Sequence, residues 1–293
     1  MQGLILLNKP EGITSFSAVN KMKWLAQEKR VGHTGTLDPL ATGLLPVFIG
    51  RATALAGIVL DADKSYIATV KLGLTTDTCD ITGNILTQCE VQVSADELKK
   101  ALEGFRGEIS QVPPMFSALK RDGVRLYELA RQGKTVDIEA RQVTINRLEL
   151  LSFEEDTFKI AVDCSKGTYI RSLCRDIGEA LGCGATMTAL HRTATGGFSV
   201  EDAVSLDSLT RENVADYILP EETALLNLRE VFVTEKQAVR FSNGGQLAFE
   251  RLKNADFTDG QLLRIKHNDR FLGVGYADNK NAQIAIKCVI NKM

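Results

Sequence analysis

Between Gly32 and Val47 the sequence reads GHTGTLDPLATGLLPV, a run without helical or strand periodicity that holds one histidine, His33, and one carboxylate, Asp38. Pro39 disfavours the α region for Asp38 and biases it towards an extended backbone. Glycines at 32, 35 and 43 let the chain pass close to another segment or to a ligand. The loop can therefore offer a single carboxylate to something bulky. A lone carboxylate acts as a covalent nucleophile at carbon when a cation keeps it ionised and a second group handles protons. Arg171 and Tyr66 have the chemistry for those two roles, although nothing in the spacing alone brings them to Asp38. Two alternatives stay open. Asp38 could simply accept from its own backbone in an Asx-turn. A glycoside hydrolase would instead need a second carboxylate at a defined separation.

Other reaction classes lack their signatures. There is no G-x-x-x-x-G-K-[ST] phosphate loop, no G-x-S-x-G elbow and no dinucleotide fingerprint in a βαβ context. Six cysteines, at 79, 89, 164, 174, 183 and 288, form no C-x-x-C, and the histidines at 33, 191 and 267 complete no zinc-spaced cluster. The cysteines read as reduced packing residues, and neither a metal nor a cofactor is expected.

The elements that must hold these residues are partly visible. Leu4 to Leu7 reads as a short buried strand, and Phe16, Val19, Met22 and Leu25 are spaced for one face of a helix. From Ser65 to Leu72 the pattern alternates and puts Tyr66, Ala68, Val70 and Leu72 on one strand face, with the Tyr66 ring inward. Ser94 to Glu97 is a capping box before the Leu98, Ala101, Leu102 and Phe105 stripe, with Gly104 and Gly107 at its end. Val112-Pro113-Pro114-Met115 interrupts regular structure, and a short helix is expected near Leu126 to Leu129. Phe158, Ile160, Val162 and Cys164 alternate as a strand. Gly167-Thr168 then leads into a helical stripe of Ile170, Leu173, Cys174, Ile177 and Leu181, in which Thr168 as N-cap would place Arg171 at the third helical position. A cation there opposes the helix dipole at a cost of about 0.3–1 kcal/mol, a placement that suits an arginine holding an anion.

The chain has 293 residues, 44% hydrophobic and 25% charged, as in an ordinary globular protein of one or two domains. The apolar run at Leu4 to Leu7 is far shorter than a signal core of about 7–15 residues or a membrane span of about 20, so a cytoplasmic location and no membrane partner are expected. The net charge of −2 conceals two basic stretches. From Arg229 onwards 11 lysines and arginines face 7 acids, and Lys120, Arg121, Arg125, Arg131, Lys134, Arg141 and Arg147 face only Asp122, Glu128, Asp137 and Glu139. Such patches suit a phosphate backbone or are solvated surface. After Val231 short alternating runs (Leu262 to Lys266, Phe271 to Tyr276, Ile284 to Ile290) suggest a small all-β domain, with a boundary near residue 230. Strands and helices before that boundary interleave irregularly, an α/β or α+β pattern.

Four ordered segments strongly resemble the bacterial TruB family of tRNA pseudouridine synthases: Leu6-Leu7-Asn8-Lys9-Pro10-Glu11-Gly12, the loop from Gly32 to Gly43, Lys64-Ser65-Tyr66-Ile67-Ala68, and Gly167-Thr168-Tyr169-Ile170-Arg171-Ser172-Leu173. Asn8 departs from the Asp that many relatives carry before Lys-Pro. Pro113 to Lys120, continuing to Arg131, is similar to that family's RNA-contacting insertion, and the C-terminal segment is similar to a PUA-like domain. The resemblance implies an α+β fold: a mixed-sheet catalytic domain with flanking helices over 1–230, an RNA-contacting insertion at about 112–142, and a small β-rich PUA-like domain over 231–293. It implies isomerisation of a uridine in the T-loop of tRNA, position 55, flipped out of its RNA, by a monomer without cofactor or obligate protein partner. Asp38 would be the catalytic aspartate, Arg171 its ion-pair partner, and Tyr66 the residue that stacks on the base and assists proton transfer. Tyr169 and Leu190 would line the pocket, His33 would contact RNA near the vacated base position, and Lys9 would support the fold around the site. An RNA-binding or tRNA-folding module without catalysis is the other reading, and the joint presence of Asp38, Tyr66 and Arg171 argues against it.

Overall fold

A computed structural model describes residues 1–60, 62–121 and 123–293, so Asp122 of the basic stretch lies outside the described residues. The strands before the C-terminal segment are β1 (Gly3–Lys9), β2 (Val31–His33), β3 (Thr42–Ile49), β4 (Lys64–Leu72), β5 (Leu74–Thr76), β6 (Ile85–Gln88), β7 (Gly107–Gln111), β8 (Lys120–Arg121), β9 (Val124–Arg125), β10 (Arg141–Glu154), β11 (Thr157–Cys164), β12 (Ala185–Thr195), β13 (Phe198–Ser199) and β14 (Val204–Ser205). Among the described residues the main sheet runs β14-β1-β3-β12-β4-β11-β10-β7, with β2 added on β3 and β13 on β12. Its β1–β14 and β3–β12 pairs are parallel and the others antiparallel. β5–β6 and β8–β9 are separate hairpins.

The alternation in β4 sets the geometry of its face. Tyr66, Ala68, Val70 and Leu72 are buried while Ile67 is exposed. Tyr66 stands opposite Val162 on β11 and Arg192 on β12, and Ala68 stands opposite Leu190. Directly paired residues project to the same side of a sheet, so Tyr66, Leu190 and Arg192 share one face.

The helices are α1 (Ser15–Ala26), α2 (Ala56–Val59), α3 (Ala95–Glu103), α4 (Leu126–Arg131), α5 (Ile170–Ala180) and α6 (Glu235–Ser242). The Ser94–Glu97 capping box forms as expected. α1 buries Ser15, Ala18, Val19, Met22, Leu25 and Ala26, but Phe16, expected on that stripe, is 67% exposed. Ser15 takes the inward position, and the next residue lies about 100° further round the helix. The expected N-cap of α5 also shifts. The Thr168 hydroxyl donates to Ser165 O at 3.0 Å, so Tyr169 is the N-cap and Arg171 sits at the second helical position.

β15 (Arg229–Phe232), β16 (Leu247–Ala248), β17 (Leu262–His267), β18 (Arg270–Asp278) and β19 (Gln283–Val289) form a second sheet in the order β15-β17-β18-β19-β16. The architecture is α+β, a mixed sheet with flanking helices followed by a β-rich segment. One core cluster joins α1, α3 and α5 to the β4 face carrying Tyr66, and another joins Leu4, Leu6, Leu44 and Phe48 to Phe271, Val274 and Ile290 of the C-terminal segment. Part of that segment's positive charge is neutralised by acids near its start, since Arg264 and Lys266 pair with Glu222 and Glu230. All six cysteines are free; Cys79, Cys164 and Cys174 are buried, but Cys89 is exposed and so is not a packing residue. Among the described residues no helix is long and apolar enough to cross a membrane.

Close approach holds at two of the three loop glycines. Gly43, at φ 100°, passes Arg192 so tightly that a Cβ would lie 2.3 Å from its carbonyl oxygen, and a Cβ on Gly35 would lie 3.0 Å from Arg192 Nη1. Gly32 meets only the Thr53 methyl, at 3.8 Å. Gly43→Ala is therefore expected to lower stability by at least about 1–3 kcal/mol in denaturant unfolding; an unchanged midpoint would show that β3 and β12 can part without cost.

Candidate active site

The connection from β2 to β3 carries Asp38 and is pinned from below by three buried side chains. Arg192 Nη2 donates to Gly35 O at 3.0 Å while its Nε donates to Leu44 O at 2.7 Å. Ser15 Oγ donates to Leu37 O at 3.0 Å and accepts from Leu37 N at 2.8 Å. Lys9 Nζ donates to Pro10 O and Ile13 O, each at 2.8 Å, and reaches Pro39 O at 3.4 Å. Lys9 and Arg192 are both 0% exposed. Anchors at 35, 37 and 39 leave Asp38 little freedom, and its own carbonyl closes a turn by accepting from Ala41 N at 3.1 Å.

The Asp38 carboxylate is bound by Arg171, not by its own backbone, which removes the Asx-turn alternative. Arg171 Nε lies 2.9 Å from Asp38 Oδ2, and Nη2 donates to Oδ1 at 3.4 Å. The rest of the guanidinium is also used. Nη1 donates to Thr78 O at 3.0 Å and faces Asp80 Oδ2 at 3.7 Å, and Nη2 donates to Phe116 O at 2.8 Å. The Arg171 side chain is 6% exposed against 36% for Asp38, so the cation is interior and the carboxylate opens outward. Burial pushes the Asp38 carboxyl above the usual carboxylate range, Asp80 adds to that push, and Arg171 and Lys9 oppose it. Arg171 is thus the main group favouring the ionised form that a nucleophile requires.

Asp80 is a second carboxylate beside Asp38, but it does not make a hydrolase pair. It is 5% exposed, and its Oδ1 accepts from Thr78 Oγ1 at 2.9 Å, Thr82 N at 3.0 Å and Thr82 Oγ1 at 2.5 Å. A carboxylate so enclosed stabilises Arg171 rather than meeting a sugar.

The Asp38 charge is the weakest of the influences on both the Tyr66 and the Tyr169 phenol. Burial raises the Tyr66 proton affinity, and the facing Arg192 guanidinium pulls it down. Leu190, 8% exposed, shares the Tyr66 face one pair along β12. His33 pairs with Val47 on β3, and burial, with the Arg192 charge adding to it, lowers the proton affinity of its imidazole. Asp80, Arg192 and Gln111 escaped the sequence reading. Asp80 sits in a Thr-rich turn, Arg192 lies between His191 and Thr193 in a strand, and Gln111 ends an edge strand, so none had a pattern that marked its contacts.

Residues 23–170 match the N-terminal domain model of TruB family pseudouridylate synthases, and residues 171–231 match the tRNA pseudouridylate synthase B C-terminal domain. The chain belongs to the TruB family. Asp38, Tyr66 and Tyr169 fall in the first matched segment, and Arg171 and Leu190 in the second. A tRNA pseudouridine synthase B from Pseudomonas fluorescens is 46% identical over 94% of this chain and 91% of its own. Those from Chromobacterium violaceum and Clostridium novyi are 44% and 45% identical, over 100% and 97% of this chain and 96% and 98% of theirs. Among solved structures, a Cbf5-Nop10-Gar1 complex matches at TM-score 0.78 and 28% identity, covering 99% of this chain and 85% of that one. An H/ACA RNP bound to a substrate RNA containing 2'-deoxyuridine matches at 0.75 and 26%, with 99% and 85% covered. The chain thus has the pseudouridine synthase fold and, as a TruB enzyme, isomerises uridine to pseudouridine.

The anchor beneath the TruB loop has a measurable signature. Burial pushes the Lys9 ammonium from 10.5 down to about 8, with Asp38 and Glu11 opposing. Between those two values the unfolded chain binds more protons than the folded one, so this lysine makes stability rise with pH there. Wild type is expected to gain stability relative to Lys9→Met across that window in denaturant melts; a difference independent of pH would contradict the lowering of the Lys9 proton affinity by burial.

Proposed function

We propose that the chain converts the T-loop uridine of tRNA, position 55, to pseudouridine, with Asp38 as nucleophile. The observation that carries this reading is the Asp38–Arg171 pair, 2.9 Å apart, with the arginine interior and the carboxylate facing outward. The C1′–N1 bond breaks, the uracil turns, and C1′ joins C5. The C5 proton leaves and N1 gains one, so substrate and product are isomers and no redox partner or cosubstrate is consumed. Asp38 attacks either the sugar C1′ or the base C6. Tyr66 stacks on the base and passes protons, Tyr169 and Leu190 wall the pocket, and His33 contacts RNA near the vacated position. Reaching the base requires flipping it from the stack at a cost of a few kcal/mol, which contacts in this pocket offset.

Residues 1–230 act as the catalytic domain, and the segment at about 112–142 contacts RNA. In that segment Lys120, Arg121, Arg125, Arg131, Lys134 and Arg141 are all exposed. Arg125 and Arg131 flank the Tyr127 ring at 5.8 and 5.4 Å from its centroid, a cation–aromatic surface of a kind that binds nucleic-acid backbones and bases. Residues 231–293 serve as a PUA-like RNA-binding domain through exposed lysines and arginines such as Lys236 and Lys253. The enzyme works in the cytoplasm as a monomer on the T-arm of tRNA.

The test is tritium release from a tRNA transcript labelled at uridine C5. Wild type is expected to release tritium, and Asp38→Asn to release none while binding the transcript within about threefold of wild type. Turnover by Asp38→Asn would refute the nucleophile assignment. Binding without release by wild type would favour an RNA-folding module.

A further inference from the structure

Gln111 closes β7 and is 1% exposed. Its carboxamide meets the backbone of Tyr169 with both ends: Oε1 accepts from Tyr169 N at 2.8 Å, and Nε2 donates to Tyr169 O at 3.1 Å. Tyr169 is the N-cap of α5, and its side chain caps nothing. In a capping box, a Glu or Gln three residues into the helix satisfies the N-cap N–H. Here Ser172 occupies that position and its hydroxyl points elsewhere, donating to Val112 O at 2.8 Å. The missing half of the box is supplied from another strand, 58 residues away in sequence.

The stitching continues along the same segment. Arg175 Nη2 also donates to Val112 O, at 3.2 Å, and Arg171 donates to Phe116 O at 2.8 Å. The end of β7 and the root of the basic segment are therefore bonded to residues 169, 171, 172 and 175, the turn that presents Arg171 to Asp38. We propose that Gln111 is a positioning residue for the isomerisation, setting the start of α5 so that Arg171 meets Asp38 and joining the root of the basic segment to the catalytic pair. RNA held by that segment then bears on the geometry of the pair as well as on affinity. This rests on reading Asp38 as the nucleophile.

The titratable groups whose charges interact with Asp38 are Arg171 on α5, Asp80 between β5 and β6, Lys9 on β1 and, more weakly, Tyr66 on β4 and Tyr169 at the α5 N-cap. Gln111 controls the placing of Arg171 and Tyr169 and touches none of the others. If Arg171 moves away, burial of Asp38 goes less opposed, the carboxyl holds its proton to higher pH, and the acid limb of activity moves up. Gln111→Met keeps the length and loses both hydrogen bonds, whereas Gln111→Glu keeps the acceptor for Tyr169 N.

The experiment is kcat and KM for a tRNA transcript across pH with both variants. Gln111→Met is expected to lower kcat by about tenfold or more, to hold KM within about threefold, and to shift the acid limb of kcat upward. Gln111→Glu should recover part of both effects. Unchanged kcat and acid limb in Gln111→Met would overturn the proposal, as would a fall in kcat with an unmoved limb and a lowered melting temperature, the mark of structural damage alone. If Gln111→Met does not fold, the acid limb of Gln111→Glu decides. Turnover by Asp38→Asn would remove the premise, whereas an unmoved limb in the Gln111 variants removes only the coupling.

Discussion

The Arg171 guanidinium is shared among the Asp38 loop, the β5–β6 connection and the root of the basic segment, and it projects from the first turn of α5. A cation at a helix N-terminus works against the helix dipole at a cost of about 0.3–1 kcal/mol, and an unpaired buried arginine would cost far more. Two carboxylates and two carbonyls meet that cost here. The same arrangement sets the two acids apart: Asp80 is enclosed by threonines and holds the arginine, and Asp38 is left open on one side.

Around that pair the fold works as a set of anchors. Lys9, Ser15 and Arg192 each reach a different carbonyl of the Asp38 loop, and they come from β1, α1 and β12. Arg192 faces Tyr66 across the β4–β12 ladder, so the residue that pins the loop also modulates the phenol beside it. The parallel contact of β3 with β12 at Gly43 fixes the distance between the loop's exit and Arg192.

Local periodicity made much of this legible. The alternation in β4 and β11 and the capping box of α3 depend on neighbours in sequence, and they appear where the pattern puts them. Phe16 was misplaced because one residue of phase turns a side chain from core to solvent. Thr168 was misread as a cap because its hydroxyl has a competing acceptor in Ser165 that no spacing rule reveals. Asp38, Tyr66 and Arg171 carried suitable chemistry as isolated residues, but their convergence is tertiary: it depends on β12 lying between β3 and β4. The family resemblance, rather than residue pattern, singled them out. Asp80, Gln111 and Arg192 act through hydrogen bonds to distant segments, and no residue near them in sequence advertises it.

Charge is distributed to match. Exposed cations stand both between β7 and β10 and in the C-terminal segment, where Arg264 and Lys266 are committed to Glu222 and Glu230 while Lys236, Arg240 and Lys253 are open to solvent. The most direct test of the central pair is an NMR titration of labelled aspartate carboxyls, with the Asp38 signal assigned by its loss in Asp38→Asn. Its midpoint is expected to rise when Arg171 is replaced by Gln. A midpoint that stays where it is in wild type would contradict the claim that Arg171 keeps Asp38 ionised.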